Sequence, residues 1–205
     1  TLGGSQFRRS EGKYEQYKTL SLLDPRFLDT PAYAVEQSRQ VASVMADKSR
    51  KAMDLAMELL QGYDEAKAEQ VAQMETDVDR FEDELGTYLV KLSSRQLSGK
   101  DSETLNTILH CIGDFERISD HARNVKEAAQ EMYDKKLDFS DKAQEELKEF
   151  ERAVHDILDI TMNSFIKGDL NLARQVEPME EVIDGLSLDV KQRHVRRLRK
   201  GKCTG

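Results

Sequence analysis

The chain has 205 residues, 34% of them charged, and a formal net charge of −8. That length holds one large domain or two small ones with a sizeable core, and the acidic balance excludes a nucleic-acid binder, which needs a basic stripe to release counterions from phosphates. Two cysteines, three prolines and no tryptophan, with Ala, Glu, Lys, Leu and Arg dominating, exclude a disulfide scaffold and predict long helices rather than sheet.

Residues 1–29 read as an extended arm or linker. The stretch TLGGSQFRRSEG has no periodicity, and SLLDPRFLDTP places two prolines where a helix would be broken. Thr30 is the expected N-cap of a first helix with Pro31 at N1. Val41, Val44, the stem of Lys48, Ala52, Leu55 and Leu59 recur at helical spacing until Gly62. A second helix follows Asp64, with Val71, Met74, Val78, Phe81, Leu85, Tyr88 and Leu92 in heptad register. After SGKDS, a third carries Leu105, Ile108, Ile112, Phe115 and Ala122. A fourth runs from Ser140 or Asp141 to about Lys167, and a fifth from about Asp169 to Lys200. Pro178 should kink the fifth, because it removes the bond to Arg174. Long helices with short links predict an up-and-down bundle. No apolar run approaches the roughly 20 residues that span a bilayer, and no signal peptide opens the chain.

Sliding the chain by 105 positions pairs Asp54 with Asp159, Met57 with Met162, Asp64 with Asp169, Met74 with Met179, Glu75 with Glu180 and Asp79 with Asp184. Helices one and two thus look duplicated in helices four and five, while helix three has no counterpart. The expected fold is all-α, two repeated three-helix bundles. Residues 30–137 form the first repeat, and 138–205 a second repeat truncated after its second helix. The start at Thr1 fits the same expectation, that both ends are cuts in something longer.

Acid-x-x-x-acid spacing is common in so acidic a chain, but its register is informative. With Val71 at a and Met74 at d, Glu75 falls at e and Asp79 at the next b; Glu116 with Asp120 and Glu180 with Asp184 repeat this assignment. All three pairs flank the apolar stripe on one side, where a bundle half-buries them. Like charges one turn apart destabilise a helix by roughly 0.2–0.5 kcal/mol, and burial of the ionised groups adds to that, so a cation belongs between them. Arg80, Arg117 or Arg123 could supply it in a salt-bridged helix edge, as could a hard metal ion, for which carboxylate oxygens are suitable ligands. Gly86 and Gly113 on the same flank predict a close approach of neighbouring helices.

The stretch DFERISDHARNV (114–125) resembles the third-helix signature of the phosphate-uptake regulator (PhoU) family, approximately D-L-E-R-I-G-D-H-A-x-N-I. Asp114, Glu116, Arg117, Ile118, Asp120, His121, Ala122 and Asn124 match it, while Phe115, Ser119 and Val125 stand for Leu, Gly and Ile. The resemblance implies two three-helix bundles side by side, and a multinuclear cluster of iron, zinc or manganese held by the carboxylate motifs. One complete site would use Glu75, Asp79, Glu116 and Asp120. A second would use Glu180 and Asp184 with further ligands from the absent helix. Asp114, Arg117, His121 and Asn124 would support the ligands or contact a partner. The segment LLDPRFLDTPAYAVEQSR in turn resembles the link between the membrane part of sodium/phosphate cotransporter-like proteins and a C-terminal PhoU-like domain. The chain is therefore expected to be a cytoplasmic regulatory domain at the inner face of the plasma membrane, controlling phosphate transport. Its expected partners are the transporter's membrane domain or subunits, with a homodimer as a further possibility.

Two other function classes compete. A di-iron carboxylate enzyme on a bundle needs Glu-x-x-His, but the residues three before His110, His121, His155 and His194 are Thr107, Ile118, Arg152 and Lys191. No nucleophile motif or phosphate loop is present either, so no enzyme is expected. A metal-free interaction module, an adaptor or dimerisation bundle, would show the same heptads and stays open. The basic tail KQRHVRRLRKGK reads as a solvated helix end or a surface for anionic lipid.

Overall fold

The computed structural model describes residue 12 and residues 14–201; the opening residues 1–11, Lys13 and the closing residues 202–205, including Cys203, lie outside them. Six α-helices, besides a helical stretch at residues 14–20, and no strand occur among the described residues. They are α1 (Pro31–Gln61), α2 (Glu65–Ser93), α3 (Gly99–Lys135), α4 (Asp141–Lys167), the four-residue α5 (Leu170–Ala173) and α6 (Val176–Arg199). None is long and apolar enough to cross a membrane.

The helix ends follow the local chemistry. The Asp64 carboxylate accepts from Lys67 N at 2.9 Å, and the Ser98 hydroxyl accepts from Asp101 N at 3.1 Å, each satisfying an orphan donor of a first turn. Thr30 sits at the start of α1 with Pro31 behind it, as expected, but its side chain makes no capping bond. Gly168 ends α4 at φ 64°, in the left-handed region that glycine adopts without strain. The expected fifth helix is broken rather than kinked: the chain turns at Arg174–Gln175 and restarts at Val176. Pro178 thereby falls in the first turn of α6, where its missing N–H leaves no interior bond unmade.

The opening segment departs from an extended arm. Residues 14–20 are helical and Pro25–Asp29 form a 3₁₀ turn. Gln16 is buried, its amide donating to Asp77 Oδ1 at 3.1 Å. Asp77 also accepts from Gln73 at 2.9 Å and pairs with Lys48 at 2.9 Å, so both carboxylate oxygens are engaged. Tyr88 donates to Asp24 O at 3.0 Å, and Leu28 joins the core. The sequence shows no periodicity here because the helical piece is held by polar contacts to α2, not by an apolar stripe.

α1, α2 and α3 pack on one another, and α1 also carries α4. Contact on several sides explains why the buried positions of α1 are so often alanine: Ala34, Ala42, Ala46, Ala52 and Ala56 are fully enclosed. Small side chains let neighbouring axes approach, and the larger burial comes from α2 and α3. Phe81, Leu85, Leu89 and Leu92 are fully buried, each contributing about 1.5–3 kcal/mol relative to exposure. The expected stripe of α1 is shifted, with Met45 inside and Val44 and Leu55 only partly buried.

α4 runs antiparallel along α1, and the repeat-related positions meet across that contact. His155 Nδ1 lies 2.8 Å from Asp54 Oδ1, and Arg50 lies 3.1 Å from Asp54 and 3.9 Å from Asp159. Asp54 and Asp159, and Arg50 and His155, are each 105 residues apart, so the two contacts are related as by a two-fold axis. α6 folds back on α4, where Arg197 and Arg193 reach Glu146 at 2.8 and 3.7 Å. Part of the basic tail therefore faces inward rather than being wholly solvated. Leu170, Val182 and Leu188 in this half remain exposed, at 73%, 61% and 57%.

Two outcomes are expected. Replacing Asp77 by Ala leaves Lys48 without its anion in a nearly closed site, and urea denaturation should show a loss of roughly 3 kcal/mol; an effect below about 0.5 kcal/mol would contradict the assignment. The hydrogen bond to Asp54 raises the His155 pKa, with Asp156 and Asp159 adding to it. Stability from a raised imidazole is complete below the unfolded value of 6.5 and fades as pH rises through the higher folded value. The stability difference between wild type and His155→Gln, followed by thermal melting, should therefore be larger near pH 5.5 than near pH 8.5, and modest because the ring is half exposed.

Candidate metal centre

The core of the bundle is divided in two. One cluster joins residues 41–46, 78–92 and 105–115, and the other residues 52–59, 68–71 and 122–129. The layer between them is polar. Ser49, Glu75 and Ser119 are buried there, beside the Lys48–Asp77 pair. Ser49 bonds to Met45 O at 3.0 Å, but the enclosed Ser119 hydroxyl has no hydrogen-bond partner among the described residues. Glu75 is 6% exposed, an expensive position for a carboxylate unless it is paired.

Glu75 and Asp79, one turn apart on α2, converge with Asp120 of α3. One oxygen of each lies within 4.8 Å of the other two, and among the described residues this is the one group of three carboxylates so arranged. The Arg123 guanidinium bonds Glu75 through Nη1 and lies 3.4 Å from Asp120 through Nη2. Of the three cations near in sequence, this is the one at the cleft: Arg80 donates to Gln16 at 3.3 Å, and Arg117 pairs with Asp114 at 3.6 Å on the exposed face of α3. Asp79 has no hydrogen bond or ion pair among the described residues. Loss of water and then the charge of Asp120 raise its pKa, with Arg123 only partly opposing.

Glu116 stands outside the group of three yet feels it. Loss of water raises its pKa first, followed by the charges of Asp120, Asp79 and Glu82. The result is an acidic strip along α2 and α3 in which Asp79 and Glu116 ionise less readily than free carboxyls. Asp114, Arg117, His121 and Asn124 recur on one exposed face of α3, away from the cleft. Glu180 and Asp184 lie one turn apart on α6, both exposed. The glycines do not mark close approach: a Cβ on Gly86 would meet Ile112 Cδ1 at an ordinary 3.8 Å, and one on Gly113 would meet nothing.

The donor set fits a hard cation. Three carboxylates converge without sulfur or imidazole, the preference of manganese, magnesium or oxidised iron rather than of soft metals. A positive group, the guanidinium of Arg123, already pairs with two of these three carboxylates, Glu75 and Asp120.

Residues 42–129 match the PhoU domain. The matched segment runs from within α1 to within α3, so it holds the polar layer and the cleft, while α4 to α6 with Glu180 and Asp184 lie beyond it. No curated protein and no solved structure matches the chain.

The raised pKa of Glu116 sets a further expectation for metal-free protein. A carboxyl whose folded pKa lies above its unfolded value of 4.5 destabilises the fold above that folded value, and the penalty disappears below the unfolded one. Glu116→Gln should therefore raise stability at pH 7 by about 0.2–0.5 kcal/mol, the repulsion of a like-charged pair one turn apart. The gain should vanish near pH 3.5, well under the unfolded value. A loss at pH 7 would show that Glu116 has a cationic partner after all.

Proposed function

We propose that this chain is a metal-binding regulatory domain controlling phosphate transport, the PhoU domain match and the three converging carboxylates together supporting the reading. The single observation that carries it is the placement of Glu75, Asp79 and Asp120 around one cleft, at the polar layer of an otherwise apolar bundle. Glu75, Asp79 and Asp120 would ligate the first ion. Glu116, next along the strip, would hold a second in a multinuclear cluster of iron, manganese or zinc. Glu180 and Asp184, matched by the 105-residue shift, would serve a second site.

The bound ions would supply fixed positive charge on the bundle surface, to which an oxyanion such as phosphate could add. The exposed face of α3 with Asp114, Arg117, His121 and Asn124 would then meet the partner, either the membrane domain of a sodium/phosphate cotransporter to which this chain is attached or a separate transporter subunit. On this reading the domain would act at the cytoplasmic face of the membrane. A metal-free interaction module is the competing reading, favoured by the Arg123 pairing, which already provides the cleft with one cation.

Metal content decides between them. Protein purified without chelator or nickel resin should carry manganese, iron or zinc by mass spectrometry, and an Asp79→Asn/Asp120→Asn variant should lose it while keeping its helical circular dichroism. Metal-free wild-type protein that takes up none of these ions on addition would sink the metal reading and leave the interaction module.

A further inference from the structure

Arg123 is a cation at the cleft that the proposed metal centre does not use, and its position is informative. It reaches from α3 to α2 to bond Glu75 and also approaches Asp120, two of the three carboxylates of the cleft. It does not satisfy the third, Asp79. The charge of Glu75 is the main reason its own pKa is raised, so Glu75 and the guanidinium hold each other in place. A cation that touched all three carboxylates would engage the same Glu75 and Asp120 groups that the guanidinium now pairs, and two positive charges so close would repel. Arg123 is itself 42% exposed along its side chain, with four rotatable bonds and open solvent into which it could swing.

We propose that Arg123 is a built-in competitor for the metal ion: guanidinium and metal occupy the cleft in alternation, and metal uptake releases Arg123 from α2. This rests on the metal-binding reading above. It accounts for how a buried Glu75 is tolerated in the metal-free fold, since one cation is always present. It also sets selectivity by charge. A monovalent ion offers nothing that the guanidinium does not already give, whereas a divalent or trivalent ion offers more charge and contact with Asp79 as well. The signal passed on would be local: one cross-link between α2 and α3 is broken, and a basic side chain appears on the surface beside the ion. Arg123 is a positioning residue, never a ligand.

The test uses the full chain, with Mn²⁺ as the calorimetric probe, comparing wild type, Arg123→Gln and Asp79→Asn. Arg123→Gln keeps most of the side-chain stem but not the charge. It should lower the melting temperature of metal-free protein and bind Mn²⁺ at least tenfold more tightly. Asp79→Asn should keep or slightly raise the metal-free melting temperature, because the Arg123–Glu75 pair is intact and a like charge beside Asp120 is removed, and lose Mn²⁺ binding. Equal or weaker binding by a folded Arg123→Gln would overturn the competition while leaving the metal reading in place. Absence of binding by both wild type and Arg123→Gln would overturn both. Should Arg123→Gln fail to fold, the wild type still answers. The Nε–Hε resonance of Arg123, followed by nuclear magnetic resonance during Zn²⁺ addition, should move to the position of free arginine, and its persistence at the bonded position in zinc-saturated protein would refute the exchange.

Discussion

The buried carboxylate of Glu75 constrains everything around it. At 6% exposure, between two apolar clusters, its charge is costly without a positive partner, and the fold supplies Arg123 from the facing helix. An unpaired charge at that depth would cost several kcal/mol, while the same position filled by a packed apolar residue would cost nothing comparable. A bundle chosen for stability alone would place Leu or Met there. The polar layer with Ser49, Ser119, Glu75 and the Lys48–Asp77 pair is therefore a departure from the simplest stable bundle, and it coincides with the cleft. The unpartnered hydroxyl of Ser119 belongs to the same layer and has the same character, since it contributes nothing to the stability of the bundle.

The layer has two sides, and they do different things. On one side Asp77 is saturated by Gln16, Gln73 and Lys48, which closes the site and docks residues 14–20 on the bundle. On the other, Glu75, Asp79 and Asp120 are undersaturated, with one guanidinium among three carboxylates. The helical period separates the two, because residues 75 and 77 lie about 200° apart around α2. One helix thus presents a satisfied structural pair to the incoming segment and an open acidic cleft to solvent.

Much of this was legible in the sequence, and the reasons are physical. The heptad of α2 marks its own inside, so the shared side of Glu75 and Asp79 could be read off the register, and Asp120 followed from the same count on α3; the half-buried flank expected for the pair resolves instead into a buried Glu75 and an exposed Asp79. The caps at Asp64 and Ser98 were readable as loop chemistry. What periodicity could not give was the partner. Arg80, Arg117 and Arg123 are equally near in sequence, and only packing places Arg123 over the cleft while Arg80 turns to Gln16 and Arg117 to Asp114. The helical segment at 14–20 was missed because its anchor is an amide on a carboxylate, which leaves no apolar stripe to count. The broken fifth helix was read as kinked because Pro178 tolerates a first turn as readily as it disturbs an interior one. Gly86 and Gly113 suggested close packing, but glycine on a helix flank costs little whether or not anything approaches it.

The most direct test of the account is anomalous diffraction at the manganese edge from crystals grown with Mn²⁺. A peak bounded by Glu75, Asp79 and Asp120, with the Arg123 side chain turned away to solvent, is the predicted result. An empty cleft with Arg123 still spanning Glu75 and Asp120 would contradict it, and would make the polar layer a salt-bridged seam of the bundle and nothing more.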